Sequence, residues 1–261
     1  MSDMDVVIPQ KKQVARAFGL KASKYDCAAL IQRRIIERLC RYLPLDLIQG
    51  PWLDAGSGTG LLADILDASV MPDSLVCADI SFGSLKLLRG KKRPACHAVV
   101  ADVEGLPFAP GVFACVVTSS VLHWVHDREA AAGEIRRVLK SGGRLIFATF
   151  LDGSFGELCA LRQQRGLSLP VRFFTEKDLH AMIKKCGLFE SRYAAVREQY
   201  YFPSARDALG YFSDIGSTAA AGPRLAKKEI TALCREYEDK FGTETGVPIT
   251  CNVALGVAKK E

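Results

Sequence analysis

The chain has 261 residues, 49% hydrophobic and 25% charged, an ordinary globular composition that supports one large domain with insertions or two small ones. Its net charge of +6 is scattered, and Lys11-Lys12, Lys91-Lys92-Arg93 and Lys227-Lys228 are too brief for a nucleic-acid surface, although the charge suits an acidic partner. The nine cysteines form no C-x-x-C pair, which disfavours zinc and suits a reducing compartment; with no signal peptide or apolar span near 20 residues in length, a cytoplasmic protein without a membrane partner is expected.

The first 48 residues read as helical. A short helix over Lys12 to Phe18 is expected to break near Gly19. A second follows from Asp26 to Leu43, with Ala28, Ile31, Ile35, Leu39 and Tyr42 on one face, Asp26 as its cap and Pro44 as its stop. From there strand and helix alternate. Strands are predicted at Trp52 to Ala55, Leu75 to Ala78, Ala98 to Ala101, Val112 to Ser119 and Arg144 to Phe150. Helices are predicted from Gly60 to Leu66, Phe82 to Leu88 and Asp127 to Leu139, the last stopping at Gly142-Gly143. Thr175 caps a helix over Glu176 to Lys185, and a strand follows from Phe189 to Tyr201. Two helical stretches, Ala205 to Ile215 and Lys227 to Phe241, precede a last strand over Ile249 to Ala258. Such alternation predicts an α/β fold, a mainly parallel seven-stranded sheet with helices on both faces. The long helical connection reads as an inserted lid. The expected division is a helical lid segment at 1–48, an α/β core at 49–201, the inserted lid at 202–246, and a final core strand with tail at 247–261.

The most telling stretch is Asp54-Ala55-Gly56-Ser57-Gly58-Thr59-Gly60. Glycine at every second position leaves bare main chain on which a nucleoside can rest. The dinucleotide spacing G-x-G-x-x-G is absent, which disfavours a nicotinamide cofactor. A second acid, Asp79, closes the next apolar run 19 residues beyond Gly60, where ribose hydroxyls are held in nucleotide-binding α/β folds.

These residues, with Asp79-Ile80-Ser81, Ala101-Asp102-Val103-Glu104-Gly105-Leu106-Pro107-Phe108 and Val138-Leu139-Lys140-Ser141-Gly142-Gly143, closely resemble the class I S-adenosylmethionine-dependent methyltransferases. The resemblance implies their Rossmann-like fold and S-adenosyl-L-methionine as cofactor. Asp54, Gly56, Gly58 and Gly60 would pass beneath its methionine part. Asp79 with Ile80 would meet the ribose, Asp102 with Val103 the adenine, and Ser119 completes the set. A looser resemblance spans most of the chain. Val14 to Phe18, Tyr25-Asp26, Gln32, Ser119 to Trp124, Gly153 to Leu158, Arg172-Phe173 and Ile215 to Thr218 are similar to the malonyl-[acyl-carrier protein] O-methyltransferases of biotin synthesis. That family methylates the free carboxylate of a malonyl thioester, starting a pimeloyl chain. The implied partner is malonyl-acyl carrier protein, or malonyl-coenzyme A.

A carboxylate acceptor is already ionised at neutral pH and needs no general base. Alignment and exclusion of water would carry the reaction. The residues expected to act are Tyr25 beside the methyl group and Arg172, whose guanidinium fork suits the acceptor carboxylate. Gln32 is a further candidate. His123 and His126 would matter for a phenol or hydroxyl acceptor and otherwise read as rim residues; Trp124 reads as a pocket wall. The competing readings are a methyltransferase for a small organic acid or quinone precursor, and a non-catalytic S-adenosylmethionine-binding regulator.

Overall fold

The computed structural model describes residues 10–44, 46, 49–66, 70–167, 171–217 and 225–261. Its strands are β1 (Pro51–Ala55), β2 (Ser74–Asp79), β3 (Cys96–Val100), β4 (Phe113–Ser119), β5 (Leu139–Phe150), β6 (Leu188–Phe202) and β7 (Val247–Lys260). Among the described residues these form one sheet in the order β3-β2-β1-β4-β5-β7-β6. Pairing is parallel from β3 to β5, and β7 runs antiparallel to both its neighbours. The chain leaves β1 for β2 and β3 on one side and then returns to lay β4 on the other. The carboxyl ends of β1 and β4 therefore flank a topological switch point, where open α/β sheets bind ligands.

The helices are α1 (Lys11–Ala28), α2 (Leu30–Leu39), α3 (Leu61–Ile65), α4 (Phe82–Gly90), α5 (Arg128–Val138), α6 (Gly156–Gln163), α7 (Glu176–Lys185), α8 (Ala205–Asp214) and α9 (Lys227–Phe241). Strand residues enter opposite cores in turn. Trp52, Cys77, Val117 and Ile146 meet α2, α3, α8 and α9 on one face. Leu53, Ala78, Val116 and Phe147 meet α5 and α7 on the other. Each fully buried side chain such as Leu53 or Phe147 contributes roughly 1.5–3 kcal/mol. Caps written in the sequence start several helices: Asp127 accepts from the Ala130 amide at 2.9 Å, Thr175 from Asp178 at 3.1 Å and Ser204 from Asp207 at 3.2 Å. Among the described residues no helix is long and apolar enough to cross a membrane.

Several local expectations are corrected. Helix α1 does not break at Gly19 but runs through it to Ala28. The glycine serves packing instead: a Cβ on Gly83 of α4 would lie 2.7 Å from the Gly19 Cα. Asp26 does not cap α2; it lies inside α1, and α2 starts only at Leu30 after a break at Ala29. Helix α5 ends at Val138 rather than at the double glycine. Gly142, with φ 74°, and Gly143 lie in the irregular opening of β5, where a Cβ on Gly143 would meet the Lys140 carbonyl oxygen at 2.9 Å. Helix α6 was not anticipated; Phe155 precedes it in the left-handed region at φ 57°, which sequence pattern does not signal. Of the proposed lid segments, α2, α8 and α9 bury their apolar faces in the same core as the sheet. Residues 1–9 of the first segment and Thr218 of the motif in the second lie outside the described residues.

The Gly19–Gly83 contact presses α1 onto α4. Gly83→Ala should destabilise the protein by about 1–3 kcal/mol through overpacking. Gly90→Ala, in the same helix with nothing within 4 Å of the added methyl, should instead be neutral or stabilise by up to roughly 1 kcal/mol. Urea titration of both variants checks this; equal midpoints would contradict the packing role of Gly83.

Candidate active site

The turn after β1 is tied to β2 by backbone bonds. Gly56 and Ser57 donate to the Ala78 carbonyl at 2.7 and 3.0 Å. The Asp79 carboxylate then grips both sides of the crevice, accepting from the Gly58 amide at 2.8 Å and from the Ser81 amide at 2.7 Å. Burial raises the pKa of this carboxyl, and the two amides oppose the shift. The three glycines have different tasks. A Cβ on Gly56 would strike Val121 at 2.1 Å and one on Gly60 would strike Leu88 at 2.2 Å, whereas Gly58 faces open space within 4 Å. Of the three, only Gly58 has open space where a side chain would stand. The following helix α3 has five residues, too short for its dipole to hold an anion.

A cleft of about 950 Å³ opens over this turn. Seven of the expected cofactor residues line it: Gly56, Gly58, Asp79, Ile80, Asp102, Val103 and Ser119. Asp54 lines a smaller adjoining cavity with Gln32, Ser57 and Ser119, and Gly60 lies on neither wall. The opposite wall of the cleft is α1, which contributes Lys11, Val14, Ala15, Phe18 and Tyr25. Sequence reading missed Lys11. Its ammonium contacts Asp102 and Glu104, each at 2.6 Å, so the acid expected at the adenine already has a cationic neighbour. A lone lysine in a helix gives no signal of a partner 91 residues away.

Asp26 braces α1 against the turn. It accepts from the Thr59 hydroxyl and pairs with Lys91 at 2.7 Å; Lys91 also pairs with Asp64 of α3 at 2.6 Å. One residue before it, Tyr25 lines the cleft, the Asp54 cavity and a third cavity beyond. Burial, with Asp79, Asp26 and Asp54 around it, raises the phenol's pKa well above its ordinary value. Tyr25 is therefore a donor, never a base, at neutral pH.

The third cavity, about 560 Å³, is aromatic. Phe18, Trp124, Phe150, Phe155, Phe173 and Phe212 wall it, with Tyr25, Gln32, Ser120, His123 and Ser217 as polar members. Phe155 lies in the Gly153 to Leu158 stretch already noted, but the Phe150 and Phe212 rings were not singled out in the sequence, because residues on separate strands, turns and helices share no spacing. Gln32 accepts from the Tyr211 hydroxyl at 2.9 Å through its carbonyl oxygen, which leaves its amide N–H groups for the cavity. His123 is an inner wall rather than a rim residue. Burial, then the charge of Arg128, lowers its pKa to about 3. His126 is exposed, and its backbone amide donates to Glu104 at 2.7 Å. Arg172 is also exposed; its neighbours Val171 and Phe173 line the aromatic cavity, and Arg172 itself is not brought to the junction at Tyr25.

A sequence profile described as a methyltransferase domain matches residues 53–147. The chain is 31% identical to the malonyl-[acyl-carrier protein] O-methyltransferase of Geobacter sulfurreducens, over 96% of this chain and 99% of that protein. A protein of the same name from a Methylovorus species is 32% identical, over 98% of this chain and 91% of its own length. The chain belongs to the class I S-adenosylmethionine-dependent methyltransferases. It is related to the malonyl-[acyl-carrier protein] O-methyltransferase family. Geranyl diphosphate C-methyltransferase from Streptomyces coelicolor A3(2), solved with S-adenosyl-L-homocysteine, shares the fold at a TM-score of 0.56 and 15% identity, over 87% of this chain and 80% of that one.

The residues of this methyltransferase suit its cofactor. Asp54 Oδ2, Ser57 Oγ and Ser119 Oγ are buried without a partner, and they surround the turn whose Gly58 is open. An ammonium group satisfies such acceptors. Asp54 gives a measurable consequence. Burial, then the charge of Asp79, pushes its carboxyl up to about 8, so it is protonated in the free protein at neutral pH. Its folded pKa lies above the ordinary value near 4, so the contribution of Asp54 to the stability of the free protein is lost as pH rises from about 4 through 8. An adjacent ammonium favours the carboxylate. Binding of S-adenosyl-L-methionine at pH 7 should thus release close to one proton. Calorimetry in buffers of different ionisation heat measures this, and Asp54→Asn should abolish the release; a buffer-independent heat in the wild type would contradict the assignment.

Proposed function

We propose that this methyltransferase transfers the methyl group to the free carboxylate of a malonyl thioester on acyl carrier protein or coenzyme A, giving the methyl ester that starts a pimeloyl chain for biotin. The observation that carries the reading is the polar make-up of the aromatic cavity. Its histidine is held neutral and far from its titration range at pH 7, and its tyrosine stays protonated. A histidine with so low a pKa is a poor base for a phenol, hydroxyl or ammonium acceptor, and a protonated tyrosine is no base at all. A carboxylate needs no such base, and the groups on offer, the Tyr25 hydroxyl and the Gln32 amide, are donors that match its oxygens.

Bound S-adenosyl-L-methionine supplies an electrophilic methyl on a sulfonium, whose sulfur leaves as a neutral thioether. The chain's own residues align and dry the acceptor. Phe18, Tyr25, Ser120 and Trp124 line both the cleft and the aromatic cavity, so they mark the junction where the carboxylate must meet the methyl. Well-aligned pairs reach effective molarities of roughly 10⁵–10⁸ M. The rings displace water from the carboxylate, and the Tyr25 and Gln32 donors hold it without neutralising its charge. The names of the relatives, near-complete coverage of them and the +6 charge, which suits an acidic carrier protein, all support this acceptor.

Purified protein with labelled cofactor and malonyl-carrier protein should yield a base-labile methyl ester; transfer only to phenols or amines would overturn the proposal. With cofactor and acceptor both saturating, kcat should be flat from about pH 5.5 to 7.5, because among the described residues no group lining the aromatic cavity titrates there, whereas a limb near pH 6.5 would reveal a histidine base. Gln32→Glu, which sets a like charge against the acceptor, should lower kcat/KM for the acceptor by roughly 100-fold or more, measured by steady-state kinetics at saturating cofactor.

A further inference from the structure

Two arginines stand together beyond the aromatic cavity. Arg128 opens α5, and its guanidinium lies 3.5 Å from the centroid of the buried Phe174 ring. It donates to the backbone carbonyl of Arg172. Burial, then the charge of Arg172, lowers the Arg128 pKa to about 10. The acids nearby are otherwise engaged or too far away for an ion pair. Asp127 caps α5, Glu129 holds Lys185 at 2.7 Å and Glu176 accepts from Tyr193 at 2.9 Å. Asp178 is felt by Arg128, but among the described residues neither arginine has a carboxylate within 4.0 Å. A half-buried cation beside a like charge, with no carboxylate in ion-pair contact among the described residues, is an arrangement that an anion completes.

That anion is not the carboxylate to be methylated. Val171 and Phe173, on either side of Arg172, line the aromatic cavity but not the cofactor cleft, and the residues common to both stand elsewhere. The arginine pair thus serves a different end of the same acceptor. Two guanidinium forks suit a phosphate, whose several oxygens can accept from both at once.

We infer that Arg128 and Arg172 bind a phosphate carried by the acceptor at a distance from its reacting carboxylate, as on the phosphopantetheine arm common to carrier-protein and coenzyme A thioesters. The inference rests on the acceptor class proposed above. Arg128 sets the geometry: the Phe174 ring and the Arg172 carbonyl fix its guanidinium plane, so little side-chain entropy remains to be lost on binding. A free small acid would leave the pair unused.

Calorimetric titration with 4′-phosphopantetheine and with pantetheine tests this without any turnover. The wild type should bind the phosphorylated form roughly 10- to 100-fold more tightly. Arg172→Gln, at an exposed position, should remove most of that preference, and so should Arg128→Gln, with folding checked by circular dichroism. Equal binding of the two compounds by the wild type, or a preference that survives in Arg172→Gln, would overturn the inference. In turnover, the kcat/KM ratio of malonyl-coenzyme A to malonyl-pantetheine, and that of malonyl-carrier protein to malonyl-pantetheine, should both fall in Arg172→Gln. A fall confined to the carrier protein would mean that the arginine touches the protein rather than the arm, and would also overturn it. Methyl transfer to malonyl-pantetheine with no phosphate preference sinks this inference and leaves the carboxylate chemistry standing; phosphate-dependent binding with no ester formed does the reverse.

Discussion

The Asp79 carboxylate is the hinge of the site. Parallel pairing of Asp54 with Cys77 and Ala55 with Ala78 brings the ends of two strands level. One oxygen of Asp79 can then take the Gly58 amide from the turn while the other takes the Ser81 amide. Without that register the turn would have no fixed height above the sheet. The same carboxylate helps to raise the pKa of Asp54 and of Tyr25, so a single strand-end acid sets both the shape of the crevice and the protonation of its neighbours.

The second requirement is a wall. Helix α1 can cover the crevice only because Gly19 and Gly83 let two backbones meet, and because Asp26 reaches the turn through Thr59. Tyr25 rides on that helix next to Asp26. The brace that positions the cofactor side therefore also positions the hydroxyl facing the acceptor side. Contacts made for packing and contacts made for chemistry are consecutive residues of one helix.

The acceptor cavity has another origin. It is closed by Phe150 from β5, Phe155 before α6 and Phe212 from α8, with Gln32 held by Tyr211 from across the core. Gln32 and Tyr211 alone are 179 residues apart. The apolar walls favour a desolvated charge at the junction, and the absence of a titrating base there gives the site its proposed selectivity for an acid.

What could be read from the residues alone was whatever rests on local rules. Alternating apolar runs and helix caps announced the sheet and most helices, and Thr175 and Asp127 start theirs where expected. The D-x-G-x-G-x-G spacing with Asp79 announced the crevice, because a strand, a tight turn and the next strand are close in sequence. Gly19, Asp26 and Gly142 were misread for one reason: a glycine or an acid looks like a helix terminus until a partner from another element is known. Lys11 at Asp102, the joining of the aromatic rings into one cavity and the Arg128–Arg172 pair became visible only in three dimensions. They depend on which helix crosses which strand end, and that is settled by packing of whole faces rather than by any spacing along the chain.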